Sequence, residues 1–182
     1  MITMATKLAL LALLSSLSSL ALGWDGADKG GEIAEAMRLP PNLEEGEKLY
    51  QTCAHCHTKS GWGMAPGIGT YRSTSTYPQI AGQHQSVLIK QILDIRNLNR
   101  DNPTMYPFST ERYLGGSQEI ADVTAYITAL PINSNSQHGT GRDLELGKSL
   151  FEKNCAKCHG ENGEGDAENF YPRLAQQHYD YM

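Results

Sequence analysis

The pentapeptide Cys-x-x-Cys-His occurs twice in this chain and uses all four of its cysteines. The first copy places Cys53 and Cys56 before His57, and residues 155–159 repeat the pattern. This spacing is typical of covalent c-type haem attachment. Two thiols three positions apart can add to the two vinyl groups of one porphyrin edge, and the next residue then lies under the ring as an iron ligand. The motif therefore predicts a cofactor, a proximal ligand and a covalent geometry together.

Other uses of these cysteines fit the sequence poorly. A zinc ribbon places its second cysteine pair about fifteen to twenty residues after the first, whereas Cys56 and Cys155 are 99 positions apart. A thioredoxin-like redox site or a structural disulfide would not explain the histidine that follows both copies. We therefore predict that Cys155 and Cys158 bind a second haem covalently and that His159 binds its iron.

The first 23 residues have the features of a secretory signal peptide. Lys7 provides a positive charge, residues 8–22 form an apolar run relieved only by serines, and residues 21–23 resemble a cleavage site. The alternative is a retained anchor, but a bilayer needs about twenty apolar residues. Because c-type haem is attached after export, the sequence predicts a cleaved leader and a periplasmic protein, with loose peripheral membrane association left open.

An internal repeat organises the rest of the chain. The segment at residues 77–84, Tyr-Pro-Gln-Ile-Ala-Gly-Gln-His, recurs at residues 171–178 as Tyr-Pro-Arg-Leu-Ala-Gln-Gln-His. The haem motifs recur at an offset of 102 and these segments at an offset of 94, so the first repeat has eight extra residues between His57 and Tyr77. A duplicated domain with one insertion accounts for both offsets.

The same alignment pairs Met182 with Leu88, so the second repeat is expected to lack the counterpart of residues 89–130. We accordingly expect a second domain that is truncated. The expected organisation is a signal peptide (1–23), an N-terminal extension (24–41), a first domain (42–131), a linker (132–142) and the proximal half of a second domain (143–182).

Helical patterns account for most of the first repeat. Asn42 and Glu45 predict a capping box for a helix that leads into the first haem motif. Residues 84–98 have apolar positions at helical spacing, and Ser117 is expected to cap a final helix. The glycine-rich loop at residues 58–69 is expected to be irregular. Because no segment alternates as a strand does, the expected fold class is all-α, with two tandem domains built around covalent haem and the second incomplete.

The sixth ligand of each iron decides between electron transfer and catalysis. Met105 is the candidate for the first haem, because it lies in a proline-flanked loop 48 residues after His57. The alternatives are that Met64 doubles back over the ring, or that Met105 only fills a gap in the core. His84 and His178 begin a predicted helix and are interpreted as structural or capping residues. No residue here matches Met105 in the second repeat, so the sixth ligand of the second haem is expected outside this chain.

In these features the sequence resembles the di-haem class I cytochromes c, in particular the cytochrome c4 type. The resemblance covers about residues 42–182 and is carried by the two haem motifs, the repeated Tyr-Pro segment and the methionine loop. It implies two tandem all-α domains with His/Met iron that pass electrons between redox proteins. The matching residues are Cys53, Cys56, His57 and Met105 for the first haem, and Cys155, Cys158 and His159 for the second.

The resemblance also implies a role for one proline in each repeat. A backbone carbonyl accepts the ring N–H of the proximal histidine, which fixes the tautomer and strengthens the ligand. Pro172, thirteen residues after His159, fits this role in the second repeat. Its counterpart Pro78 is the candidate in the first repeat, with Pro66 as a rival.

The charge of the chain argues against a nucleic-acid partner. The formal net charge is −5, or −6 once Lys7 leaves with the signal peptide, and no basic patch is present. Acidic residues flank both haem motifs; such groups are usually a solvated face, and here they are also a candidate docking surface for a basic redox partner. They are Glu44, Glu45, Glu47, Glu161, Glu164, Asp166 and Glu168.

Three functions are compatible with two haem motifs. The first hypothesis is a periplasmic shuttle that carries single electrons in a respiratory chain and has no substrate chemistry, with a terminal oxidase, a quinol-oxidising complex or a dehydrogenase as partner. The second is a cytochrome subunit of a periplasmic dehydrogenase complex. The third, a di-haem peroxidase, needs an open iron and an acid–base cluster, and the sequence shows no clear cluster of that kind.

Overall fold

A computed structural model describes residues 31–65, 76–135 and 139–182. In these residues it contains eight helices and isolated β-bridges, and the predicted all-α fold class is confirmed. None of these helices is long and apolar enough to cross a bilayer. The proposed signal peptide and Pro66 lie outside the described residues. The helices are α1 (Glu32–Arg38), α2 (Leu43–His57), α3 (Gln85–Arg96), α4 (Tyr106–Ser109), α5 (Glu111–Leu114), α6 (Ser117–Ala129), α7 (Leu144–Asn154) and α8 (Ala156–His159).

Helix α2 carries the first haem motif at its C-terminal end. Its N-cap is Asn42, whose Oδ1 accepts the backbone N–H groups of Glu44 and Glu45 at 3.0 and 3.3 Å. The predicted capping box is wrong in its second half, because the Asn42 N–H donates to Asp122 at 2.7 Å. The Glu45 carboxylate instead lies 2.8 Å from Lys48. The start of α2 is therefore held both by the Asn42 side chain, which caps its first turn, and by Asp122 of α6.

Helices α2 and α6 cross at Gly46, and this crossing positions the haem motif. A Cβ on Gly46 would lie 2.2 Å from the Asp122 carbonyl oxygen, so a larger residue would push the helices apart. One turn later, Tyr50 is buried in an apolar cluster with Val123. The Tyr50 hydroxyl donates to the Thr58 carbonyl oxygen at 2.7 Å, which ties α2 to the loop that follows the haem motif.

A second apolar cluster joins α1 to α3 and α6. Its buried residues are Ala36, Ile89, Leu93 and Ile120. The sequence predicts no helix before Asn42, yet α1 contributes Ala36 to this core. Arg96 of α3 binds Glu32 of α1, so the contact between the two helices is both apolar and charged. The segment expected to be an extension therefore packs as part of the helical core.

Helix α6 begins one residue earlier than predicted, at Ser117, and has a different cap. The N-cap is Gly116, whose N–H donates to the Glu119 carboxylate at 2.9 Å. The prediction that Ser117 caps this helix is wrong, because the Ser117 hydroxyl donates to Glu35 of α1 at 2.9 Å. The Ser117 hydroxyl therefore joins α6 to α1, a helix distant in sequence, and does not cap α6.

In the second repeat, α7 and α8 occupy the place of α2, with a break at Cys155. Helix α7 has no buried residue, and Leu146 and Leu150 are 59% and 50% exposed. Gly147 is the counterpart of Gly46, but a Cβ there would have nothing within 4 Å. Among the described residues, no helix crosses α7 as α6 crosses α2.

Candidate functional site

The end of α2 and the Tyr-Pro segment form the proximal side of the first site. His57 Nδ1 lies 3.0 Å from the Pro78 carbonyl oxygen, the hydrogen bond that the resemblance implied. Because a carbonyl can only accept, Nδ1 carries the proton and Nε2 keeps its lone pair. The His57 ring is 6% exposed. Burial lowers the pKa of His57 and so keeps the imidazole neutral, as metal binding requires.

The second repeat has the same proximal arrangement. His159 Nδ1 lies 2.9 Å from the Pro172 carbonyl oxygen, and the ring is half-buried. In each repeat the tyrosine before the proline lies beside the histidine, with centroids 6.4 Å apart for both His57–Tyr77 and His159–Tyr171. Two proximal sites of the same construction are therefore present despite the eight-residue difference between the repeats.

Two glycines that the sequence analysis did not single out permit this arrangement. The N–H groups of Gly63 and Gly165 donate to the carbonyl oxygens of His57 and His159 at 2.9 and 2.7 Å. Both glycines have positive φ, +72° and +76°. A Cβ on Gly63 would lie 2.2 Å from the Tyr77 carbonyl oxygen, and the matching distance for Gly165 is 2.6 Å. The sequence pattern that could have identified these glycines is Gly-x-Gly, which occurs at the same distance after both histidines.

A β-bridge locates the insertion of the first repeat. Met64 and Tyr77 exchange backbone hydrogen bonds at 3.0 and 2.7 Å, and Asp166 pairs with Tyr171 in the same way. These bridges close loops that differ by eight residues, so the insertion lies between the bridged positions. Met64 is held in the segment that supports the proximal histidine, which favours Met105 over Met64 as the second iron ligand.

Met105 lies half-buried at the start of α4. Its N–H donates to the Asn102 carbonyl and side-chain oxygens, both at 3.1 Å, so Asn102 fixes the backbone that carries the thioether. The sequence predicted a loop here and missed α4 and α5. Phe108 and Tyr113 of these helices contact edge to face, with centroids 5.1 Å apart. The role of Met105 as an iron ligand stays a prediction.

The four cysteines are free thiols in half-buried positions, and none pairs with another. Burial raises the pKa of the Cys53 thiol to about 11, so before attachment this group is neutral at pH 7. In each repeat the two thiols precede an imidazole whose Nε2 lone pair is free. These groups fit a covalently attached haem, with the thiols as attachment points and Nε2 as the proximal iron ligand.

The two histidines that end the repeated segments bind the opposite repeat. His84 Nε2 lies 2.8 Å from the Glu164 carbonyl oxygen, and His178 Nε2 lies 2.7 Å from that of Trp62. His84 is the N-cap of α3, but its side chain makes no capping hydrogen bond. These histidines therefore have a structural role, as the sequence predicted, and that role is to join the two repeats.

We expect Gly63→Ala to destabilise the first domain by about 3 kcal/mol, because it combines a positive φ with a clash against the Tyr-Pro segment. Gly141→Ala is the matched control, since Gly141 has φ +75° and nothing within 4 Å of a Cβ. The control isolates the backbone penalty, about 1 kcal/mol. Denaturant unfolding measures both variants, and equal losses would show that the close approach at Gly63 is unimportant.

Comparison with known families supports the interpretation of the two Cys-x-x-Cys-His motifs as haem sites. The family model for cytochrome c matches residues 43–131 and 144–182. Cytochrome c4 from Thiocapsa roseopersicina is 30% identical over 146 residues, which are 74% of this chain and 67% of that protein. Cytochrome c4 from Azotobacter vinelandii is 28% identical over 153 residues, with shares of 75% and 67%. The chain thus spans about two thirds of the length of these relatives.

Solved structures have the same fold. Cytochrome c4 from Pseudomonas stutzeri superposes with a TM-score of 0.63 at 24% identity, over 78% of this chain and 76% of that one. A thiosulfate dehydrogenase from Marichromatium purpuratum superposes with a TM-score of 0.61 at 30% identity, over 78% of this chain and 31% of that one. The helical fold is therefore shared with proteins of both descriptions.

Proposed function

Because the chain belongs to the cytochrome c family, and within it to the di-haem cytochrome c4 type, we propose that it is a periplasmic carrier of single electrons in a respiratory chain. The observation that carries this proposal is the pair of equivalent proximal sites, with His57 and His159 each bonded to a proline carbonyl. A haem bound at each site would supply an iron that alternates between the ferric and ferrous states.

The residues proposed to hold the two haems follow the repeat. For the first haem, His57 and Met105 would be the protein ligands of the iron, and a soft thioether ligand would favour the ferrous state. No residue of this chain is proposed as the sixth ligand of the second haem. The residues proposed to attach the haems are Cys53 and Cys56 for the first haem, and Cys155 and Cys158 for the second. His159 would bind the iron of the second haem.

The protein groups around His57 are arranged to stay in place when the charge on the site changes. The Pro78 carbonyl retains the Nδ1 proton, so the histidine has no need to exchange a proton with solvent. Burial of the ring, and of Tyr50 in the apolar cluster that packs against Cys53, limits the movement of water and side chains. A site that reorganises little on gaining or losing an electron is suited to a carrier.

We also propose a cellular location, a domain division and a class of partner for this chain. Residues 1–23 support export and a periplasmic location, and we propose domains at 42–131 and 143–182 joined by a linker at 132–142. We propose a redox protein as partner, such as a terminal oxidase, a quinol-oxidising complex or a dehydrogenase. The acidic residues beside the haem motifs support a basic docking surface on that partner.

A second function is favoured by one comparison. The likeness to a thiosulfate dehydrogenase of which this chain matches 31% supports a role as the cytochrome subunit of a dehydrogenase complex. Isolation from the native periplasm separates the two proposals. A free di-haem chain supports the shuttle, whereas recovery in a stable complex with a larger catalytic subunit supports the second function.

The proposed carrier function can be tested by rapid mixing. The reduced protein should be oxidised by a membrane preparation that contains a terminal oxidase, and it should consume hydrogen peroxide no faster than free haem does. Oxidase-independent turnover of peroxide would support the peroxidase hypothesis and contradict the carrier.

A further inference from the structure

The two repeats exchange a glutamine side chain at equivalent positions. Gln177 of the second repeat binds the backbone of Gln79: its Oε1 accepts the Gln79 N–H at 2.9 Å, and its Nε2 donates to the Gln79 carbonyl oxygen at 3.0 Å. Gln83 of the first repeat binds the backbone of Arg173 in the same way, at 2.9 and 3.1 Å. Because Gln79 and Arg173 occupy the same position in the repeated segment, the exchange is reciprocal.

Each exchanged glutamine binds the peptide group that holds a proximal histidine. The Pro78 carbonyl, which accepts the His57 Nδ1–H at 3.0 Å, belongs to the same peptide group as the Gln79 N–H. The peptide group of residues 172–173 has the same relation to His159. A hydrogen-bonded chain therefore runs from each proximal histidine, through one peptide group, to a glutamine of the opposite repeat.

Both glutamines are oriented by their own repeat. The Oε1 of Gln177 also accepts the His178 N–H at 3.0 Å, and the His178 ring is only 1% exposed and binds Trp62 of the first repeat. Gln83 accepts the His84 N–H at the same distance of 3.0 Å. The glutamine oxygen is thus held in position for the peptide group that it binds in the other repeat.

Hydrogen bonds arranged in such a chain strengthen one another. When a glutamine accepts the N–H of a peptide group, electron density increases on the carbonyl oxygen of that group, which becomes a stronger acceptor. A stronger acceptor draws the imidazole proton more strongly and makes the ring a better electron donor to a metal. Better donation stabilises ferric iron relative to ferrous iron and lowers the reduction potential.

We propose that Gln177 and Gln83 are positioning residues, each of which lowers the reduction potential of the haem in the opposite repeat. The proposal rests on the function proposed above, because it needs a haem in each repeat. It gives the Gln-His pair of each repeated segment two tasks: the histidine joins the repeats, and the glutamine adjusts the histidine ligand of the other site.

Gln177→Leu tests the proposal in the whole chain carrying its haems. The variant should raise the midpoint potential of the first haem and leave that of the second unchanged, and Gln83→Leu should do the reverse. Gln176→Leu is the matched control, because the Gln176 side chain is exposed and makes no hydrogen bond in the part of the chain that the structure describes. A redox titration followed by NMR, with signals assigned to each repeat, measures the two potentials separately.

Gln177→Glu separates the hydrogen bond from simple support of the interface. It keeps an oxygen that can accept the Gln79 N–H but loses the amide donor, so the first haem should titrate at or below its wild-type potential. A merely structural role predicts the same upward shift for Glu and Leu. This variant also tests the proposal if Gln177→Leu fails to fold, since an upward shift in it would overturn the assignment.

Amide exchange gives a second readout. Because coupling is reciprocal, the Gln79 N–H should exchange more slowly in the oxidised protein than in the reduced protein, and Gln177→Leu should abolish the difference. An unchanged first haem in Gln177→Leu, equal shifts at both haems, or a shift confined to the second haem would overturn the proposal and leave the carrier intact. A wild-type chain without two haems would instead overturn the proposed function.

Discussion

Changing Cys53 and Cys56 together to alanine should leave a chain with one covalent haem instead of two. The attachment bonds are thioethers, which survive denaturation, so mass spectrometry of the unfolded chain counts them directly. Cys155→Ala with Cys158→Ala is the reciprocal control and should also leave one haem, at the other position. A double variant that still carries two haems, or none, would contradict the assignment of one haem to each motif.

The same variant should also destabilise the first domain. A domain of this size has a small core, and a bound haem is expected to act as a large apolar part of it. His57 of the first motif and Tyr50 in the same helix are buried, whereas α7 of the second repeat has no buried residue. Loss of the first haem should therefore reduce helical circular dichroism more than loss of the second. Equal losses would contradict the expected contribution of haem to the first core.

Replacing Met105 by alanine should lower the potential of the first haem by on the order of 100 mV, because axial ligands set haem potentials over a wide range. The soft thioether that stabilises ferrous iron would be lost. The weak charge-transfer band of Met-bound ferric haem, near the red end of the visible spectrum, should disappear from the first haem. Spectroelectrochemistry measures both effects in one sample.

Met64→Ala is the control for this experiment. Met64 is half-buried like Met105 but is held by its bridge to Tyr77 in the segment that supports the proximal histidine. It should keep both the band and the potential of the wild-type protein. If the band persists in Met105→Ala and disappears in Met64→Ala, the ligand has been assigned to the wrong methionine.

Features that depend on nearby residues were predictable from the sequence. The helix leading to the first haem motif and its Asn42 cap follow from local patterns, and both are present. The contact between His57 and Pro78 could be anticipated because the repeat carried Pro78 into register with Pro172 across the insertion. The alignment of the two repeats thus identified Pro78, which the sequence of a single domain would not have done.

Features that depend on distant residues were not predictable in the same way. Asp122 replaces Glu45 as the acceptor for the Asn42 N–H, and the two residues of this contact are 80 positions apart. Helix α1 has seven residues, too few for a clear apolar period, and its place in the core comes from packing against α3 and α6. For Gln83 and Gln177 the repeat marked the positions, but only the folded structure shows that each side chain binds the opposite repeat.

The most direct test for a redox-active haem at each proximal site is a coulometric titration of the purified chain. A carrier with one haem at each of its two proximal sites should take up two electrons per polypeptide, in the absence of any substrate, and release both on reoxidation. Uptake of one electron or none would contradict the assignment of a redox-active haem to both His57 and His159.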